Sequence, residues 1–586
     1  MTWFIRKIVD LFSFLSGLYY SRKYAAIAKR IGRDPTGETT RRRGFIIVQV
    51  DGLSHEHLLE AMSCGYVPHI SRLLQRGRLR LARWRCGLPS TTPAVQAGIM
   101  FGNNFDIPAF RWYEKDTRLS MLTKVPFLIR NVQERISRGR QGILRDGSSY
   151  VNMVDGDARL ALFTLSTIGS QRFFENVRGL GFLLLFLLSP WRVLRVITRL
   201  IWDYLVDLGK RIIGLFVPGR YQPFDVISPF LMILTNVVLR EIQTFSAMID
   251  IYRGMPAIYT NYYSYDEMAH HFGASSREAL SALRGIDHQI RQINRIRTQY
   301  HRKEYDLYIL SDHGLTPSVP FQKKYGQTLG QFIVRELGEN LLMDEQGGDE
   351  RQWAIKAQFL TQELAGIEAR LSKRGAILLL RLIRQYIEDR IPRAPEEMPW
   401  DLTKRRDVIV RNSGSLAHVY FNVSPEPMNL SEIALIYPSL LRALVEHEGI
   451  GWVVGREHGE TVIMGKEGTR TLGREDDIQG QDPLASLPEP EYAAAQLRRL
   501  ASFPHSGDLI LLGNWNPEEG TVISFEDQVA SHGGLGGPQD YPFIMHPADV
   551  EMDTEHITNS EDLYSHFVRL YNSVPPEQTS WTPLDS

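Results

Sequence analysis

Residues 44–53, GFIIVQVDGL, constrain the fold more than any other stretch of the chain. An almost unbroken apolar run without two-residue alternation must be covered on both faces, and a buried parallel strand satisfies that demand. The run stops at Asp51-Gly52, so a carboxylate stands where the strand would end. EYDLYILSDHGL repeats the design and ends in Asp312-His313. MPAIYTNYYSYDEMAHHFG, residues 255–273, begins as a strand rich in β-formers and leads to Asp266 and His270. Helical patterns lie between these runs. VPHISRLLQRG closes on Gly77, TPAVQAGIMFG follows the alternating strand RLRLARWRC, and SSREALSALRGIDHQIRQINRIRTQY has Ser275 or Ser276 near its start. Strands alternating with helices predict an α/β fold with a central, mostly parallel sheet flanked by helices.

Stretches that break this rhythm divide the chain. Residues 1–43 read as an N-terminal amphipathic and basic segment and 44–113 as a first core part. Residues 114–254 read as an insertion with apolar amphipathic helices, 255–317 as a second core part and 318–407 as a helical insertion. The strand signal returns over 408–550, a third core part, with RDVIVRNSGSLAHVYFNV, GWVVGREHGETVIMG and GDLILLGNW. Within it, 474–493 reads as a loop, and 551–586 as a C-terminal helix and tail.

Lys+Arg and Asp+Glu balance at 67 each, so net charge gives no argument for a nucleic-acid partner. The two cysteines, Cys64 and Cys86, cannot form a disulfide scaffold or a four-thiolate zinc cage. Any bound metal must be held by carboxylates and imidazoles.

Ligand sites of open α/β sheets form beyond the carboxyl ends of the strands. That rule gathers Asp51, Thr91 and Thr92, Asp266 and His270, Asp312 and His313, and His532 in FEDQVASHGGLGGPQDYPFIMHP. Oxygen and imidazole donors suit zinc or manganese. The i, i+4 spacing of Asp266 and His270 puts both on one side of a helical turn. Each residue alone has an ordinary reading: Asp after a strand is often a turn residue, and Ser or Thr before a helix is often a cap. His418, in SLAHVYFN, reads as a core histidine and His271 as facing away from the site. Thr92 reads as the N-cap of its helix with Pro93 at N1, so that the helix terminus offers N–H groups and positive potential to a phosphate.

The joint order VQVDGL, LPSTTPAVQAGIMFG, YDEMAHHFG, LSDHG, SHGG resembles the alkaline phosphatase superfamily, and within it the nucleotide pyrophosphatase/phosphodiesterase branch. The resemblance spans roughly residues 44–113, 255–317 and 408–546. It implies an alkaline-phosphatase-like fold and a phosphoric ester hydrolase with two divalent metal ions, zinc or manganese. One metal would be held by Asp51, Asp312 and His313 together with Thr92, and the other by Asp266, His270 and His532. The family nucleophile falls on Thr92, with Thr91 as the alternative. Where the family carries an asparagine that contacts the phosphoryl oxygen, this chain has NNFDIPAFRWYEK, and Asn103, Asn104 or Arg111 are the substitutes. An arginine there would favour a more negative group. CGLPST lacks the arginine of the sulfatase pattern, which argues against a sulfatase. A phosphomonoesterase or phosphotransferase of the same superfamily, or an inactive membrane-associated scaffold, are the competing readings.

Residues 178–219, RGLGFLLLFLLSPWRVLRVITRLIWDYLVDLGKRIIGLFVPG, stand outside the resemblance. GFLLLFLL is shorter than the ~20 residues that span a bilayer. Beyond Pro190 the stretch is amphipathic, with Arg192, Arg195 and Arg199 on one side and Trp191, Trp202 and Tyr204 among the aliphatics. A helix lying in a membrane interface and a helical hairpin packed on protein both fit this profile. A membrane surface would make a lipid-linked phosphoester the substrate; internal packing favours a soluble nucleotide. The N-terminus has basic and apolar residues but no clear signal-peptide cleavage site. The sequence leaves the localisation and oligomeric state open.

Overall fold

A computed structural model describes residues 43–168, 227–299, 303–338, 342–347, 381, 407–473 and 477–571. The amphipathic N-terminal segment apart from Arg43, the apolar stretch 178–219, most of 318–407 and the end of the tail lie outside those residues.

The central sheet is built from Gly44–Val50 (β1), Leu79–Arg83 (β2), Ser148–Tyr150 (β3), Leu160–Leu162 (β4), Ala257–Tyr262 (β5), Tyr305–Leu310 (β6) and Phe543–Pro547 (β7). Its order is β2-β7-β6-β1-β5-β3-β4. The five strands from β6 to β4 run parallel, and β7 and β2 complete the edge as antiparallel partners. The mostly parallel α/β architecture expected from the apolar runs is therefore the one observed. β1 is central and wholly buried. Its side chains alternate between two cores: Ile46, Val48 and Val50 enter one, Phe45 and Ile47 the other.

Helices cover both faces. Thr92–Phe101 (α1) lies on the Phe45 side, while Ile227–Arg253 (α2), Ser264–Phe272 (α3) and Arg277–Gln299 (α4) contribute to the Ile46 side. Ser560–Tyr571 (α5) returns to pack on the Phe45 side. α4 begins where Ser276 Oγ accepts the Ala279 N–H at 3.2 Å, which settles the choice between Ser275 and Ser276. Its buried face, Ala279, Leu280, Leu283, Ile286, Ile290 and Ile293, follows helical spacing.

Two expectations change. Residues 114–254 are not a plain interruption, because β3 and β4 extend the central sheet in parallel beyond β5. Three-residue strands carry too little periodicity to be seen in sequence. The cap of α1 also moves by one residue. Thr91 is the N-cap, with φ −128° and ψ 144°, and Thr92 is already the first helical residue. The carbonyl of Thr91 accepts the Val95 N–H at 3.0 Å, while its side chain makes no cap bond.

The second sheet has eight described strands, from Met343–Gln346 through Val408–Ser413, Leu416–Phe421, Leu509–Gly513, Ile450–Glu457, Glu460–Gly465 and Gly468–Leu472 to Asp477–Gly480. Its pairs are antiparallel apart from the first. The hairpin at Gly414 touches the loop that carries His532: Ser415 N–H donates to the His532 carbonyl at 3.2 Å. No helix among the described residues is long and apolar enough to cross a membrane.

α1 is buried along its whole length, and α5 crosses it closely. A Cβ on Gly98 would lie 2.0 Å from Ser560 Oγ and 3.0 Å from the Glu561 nitrogen. Gly98→Val should therefore lower stability by about 1–3 kcal/mol through overpacking, read as a lower denaturation midpoint. An unchanged midpoint would show that α5 is not held against α1.

Candidate active site

β5, β1 and β6 are neighbours, and each delivers acidic or imidazole groups beyond its carboxyl end. Asp51 follows β1 directly, Asp312 and His313 follow β6, and Asp266 and His270 sit on α3 after β5. His532 enters from the loop after the short strand Ala530–Ser531. Thr92 opens α1, which turns the positive end of a ten-residue helix toward the same place.

The geometry is tight. Thr92 Oγ1 donates to Asp51 Oδ1 at 3.3 Å and lies 3.3 Å from His313 Nε2. His313 Nε2 is 3.6 Å from Asp51 Oδ1 and 3.4 Å from Asp312 Oδ2. His270 Nε2 is 3.3 Å from Asp266 Oδ2. The His313 and His532 rings stack with centroids 3.8 Å apart, and those of His270 and His532 are 5.1 Å apart. Ligand atoms of Asp51, Asp312 and His313 lie within 4.8 Å of one another, as do those of Asp266, His313 and His532. His313 thus stands between the two groups, and His270 joins the second through Asp266.

Each imidazole is fixed through its other nitrogen. Nδ1 of His270 donates to the Ala530 carbonyl at 2.7 Å, Nδ1 of His532 to the Ser90 carbonyl at 2.7 Å, and Nδ1 of His313 to the Gly314 carbonyl at 3.0 Å. A carbonyl only accepts, so Nδ1 carries a proton and Nε2 is the nitrogen turned toward the carboxylates. Metal-ligating histidines are held in this manner.

Burial and mutual repulsion set the electrostatics. Desolvation, with Asp312 and Asp266 nearby, pushes the Asp51 carboxyl well above the ordinary range. Burial also raises Asp312, against the pull of His313. Burial would raise Asp266 too, but His270, backed by His532 and His313, outweighs it and holds that carboxyl low. Burial and His313 depress His532. Asp266 Oδ1, Asp312 Oδ2 and Asn261 Oδ1 are buried acceptors without a hydrogen-bond partner. Unsatisfied carboxylate oxygens beside imidazole nitrogens form a donor set that suits a divalent cation.

A scan against family models matches residues 189–377 to type I phosphodiesterase/nucleotide pyrophosphatase. Over those residues the chain is similar to that family. The match takes in Asp266, His270, Asp312 and His313, and extends on both sides of the 255–317 stretch that carried the motifs. The enzyme class it supports is phosphoric ester hydrolysis. No curated protein matches the chain. Among solved structures, phosphonoacetate hydrolase from Sinorhizobium meliloti 1021 in complex with phosphonoformate aligns at 15% identity and TM-score 0.41, covering 91% of this chain and 96% of that one. An inactive form of murine ectonucleotide pyrophosphatase/phosphodiesterase 5 in complex with AMP aligns at 11% identity and TM-score 0.39, with the same coverage. Such loose superpositions bear on neither mechanism nor substrate.

In this phosphodiesterase-like site the proposed substrate contacts fare unequally. Arg111 lines the cavity beside Asp51 and Thr92, paired with Glu526 and donating to the Asn412 carbonyl at 3.0 Å. Asn103 and Asn104 are not brought there. Asn103 donates to the Ile136 carbonyl, and Asn104 is bound to Asn559, Ser560 and Arg499, so both tie the end of α1 to its neighbours. His418 is a core residue, with Nε2 donating to the Pro108 carbonyl and Nδ1 accepting from Gly507, and burial lowers it to about 4. His271 is exposed on the outer side of α3.

Asn261 went unread although a signal existed: it is a polar residue inside a buried strand. It donates to Asp51 Oδ2 at 2.7 Å. Asn152, Lys124, Glu526 and Gln528 also line the cavity and have no local sequence signature.

Gly52 is the most exacting position. Its φ is +72°, and a Cβ there would meet Asp266 Oδ1 at 2.4 Å. Gly52→Ala should displace Asp266 and weaken divalent-ion affinity by roughly 10–100-fold, measured by calorimetric zinc titration, with circular dichroism unchanged. Unaltered affinity would remove Asp266 from the ligand set.

Proposed function

We propose that the chain hydrolyses a phosphodiester or pyrophosphate bond with Thr92 as nucleophile and two divalent metal ions, zinc or manganese, as cofactors. The observation that carries this reading is the fixing of three imidazoles by backbone carbonyls beside the buried carboxylates of Asp51 and Asp312 and the part-buried one of Asp266, with the Thr92 hydroxyl among them. Asp51, Asp312, His313 and Thr92 would hold one ion, and Asp266, His270 and His532 the other. When bound, the ions acidify a coordinated hydroxyl and stabilise a departing oxygen.

The residues of the chain do the rest. Asp51 and His313 hold Thr92 Oγ1, and Asn261 orients Asp51. Thr92 Oγ1 loses its proton and forms a bond to phosphorus as the ester oxygen leaves. Water then attacks the phosphothreonine, Oγ1 is released and regains a proton, and the phosphoryl product departs. The helix terminus at Thr92 favours the anionic group throughout. Thr91 is the weaker candidate nucleophile, since its buried Oγ1 makes no hydrogen bond to any of these groups.

Purified protein should cleave bis-p-nitrophenyl phosphate faster than p-nitrophenyl phosphate, lose activity to a chelator and regain it with zinc or manganese. Activity that survives exhaustive chelation would sink the proposal. Thr92→Ala should lower kcat by on the order of 10³-fold or more while retaining metal, and Thr91→Ala should keep most of the rate; the reverse pattern would move the nucleophile to Thr91. His532→Ala should retain less metal by elemental analysis than the parent protein.

A further inference from the structure

The cavity that holds Thr92 and the acidic and imidazole cluster has a second, chemically different side. Also lining it are Val151, Met153, Phe163, Leu165 and Ile168, from two segments joined where the Leu165 N–H donates to the Asn152 carbonyl at 2.9 Å. Met153, Phe163 and Leu165 are only half-buried, so apolar surface is left within the same cavity as the reacting groups. Removing such surface from water is the main gain available to a ligand there.

The wall is fixed in relation to the nucleophile. Gln96, one turn into α1 from Thr92, accepts the Met153 N–H at 2.7 Å through Oε1 and donates to Asn152 Oδ1 at 3.2 Å through Nε2. Val151 and Phe163, brought side by side where the Val151 N–H donates to the Leu162 carbonyl at 3.2 Å, adopt left-handed backbone at φ +59° and +58°. A β-branched residue rarely accepts that conformation, and it persists where the surroundings over-determine it. A wall held by the helix that opens at Thr92 is preorganised for one position of the phosphoryl substituent.

Polar recognition is poorly served on this side. Asn152, the polar residue between Val151 and Met153, spends Nδ2 on Ser149 Oγ at 2.8 Å and on the Tyr259 carbonyl at 3.3 Å, and its Oδ1 on Gln96. Along residues 151–153 and 163–168 a nucleobase would find few donors or acceptors, those of the cavity lying instead on Arg111, Lys124, Glu526 and Gln528, whereas an alkyl chain needs none. Resting on the phosphodiesterase reading above, we propose that the substrate is an amphiphilic phosphoester whose apolar alkyl-type group lies on the wall of Met153, Phe163, Leu165 and Ile168 while its phosphoryl group meets Thr92.

The test is a homologous series of alkyl p-nitrophenyl phosphodiesters, methyl, butyl and octyl, below their aggregation concentrations and with thymidine 5′-p-nitrophenyl phosphate as the nucleoside counterpart. Each methylene withdrawn from water is worth up to about fourfold in affinity. The octyl ester should therefore exceed the methyl ester in kcat/KM by at least about 50-fold, and exceed the thymidine ester as well. Met153→Gln and Leu165→Gln should each shrink the octyl-to-methyl ratio. The wild-type ratio keeps the proposal falsifiable should either variant misfold. A flat series, or a thymidine ester preferred over octyl, overturns the apolar-wall assignment and leaves the phosphodiesterase reading standing. Failure to cleave any ester, with metal supplied, overturns both.

Discussion

Repulsion among buried carboxylates is the constraint on which this structure turns. Asp51 and Asp312 are almost wholly removed from water, and Asp266 approaches them from the neighbouring strand unit. Like charges at such range cost several kcal/mol even at a moderate effective dielectric. Protonation could relieve that cost, and burial does push Asp51 and Asp312 in that direction. A dipositive ion would relieve it better, and the three imidazoles beside the carboxylates offer nitrogen donors to such an ion. The hydrogen bonds to the carbonyls of Ala530, Ser90 and Gly314 follow from that need, since each aims a ring with its lone pair inward.

The fold exists to bring these groups to one edge. Parallel strands β5, β1 and β6 deliver their ends side by side, and the Gly414 hairpin of the second sheet holds the His532 loop in place. Gln96 ties the helix that opens at Thr92 both to the central strand, through Gln49, and to the apolar wall, through Asn152 and Met153. The helix that opens at Thr92 is thereby tied to both the central strand and the apolar wall.

Much of this was legible in the chain. The apolar runs ending at Asp51 and Asp312 announce buried strands with acidic ends because both burial and the strand boundary are local signals. Asp266 and His270 are legible through helical spacing. His532 is not legible from its own surroundings, since a histidine before two glycines is ordinary; only the order of all the motifs singled it out. The cap of α1 was misplaced by one residue because two adjacent threonines offer the same chemistry, and backbone torsions alone separate them. β3 and β4 escaped notice because three residues carry no periodicity, and Asn103 and Asn104 proved to be structural because their partners lie more than 30 residues away in sequence. Lys124, Asn152 and Glu526 reach the cavity only through long-range folding.

Two divalent ions in this one cluster are what the proposed chemistry requires. Anomalous diffraction from crystals grown with zinc, recorded on either side of the zinc edge, tests that requirement most directly. Two peaks about 3.5–4 Å apart are expected, one among Asp51, Thr92, Asp312 and His313 and the other among Asp266, His270 and His532. No peak at this site at saturating zinc, or a lone peak elsewhere in the molecule, would contradict it.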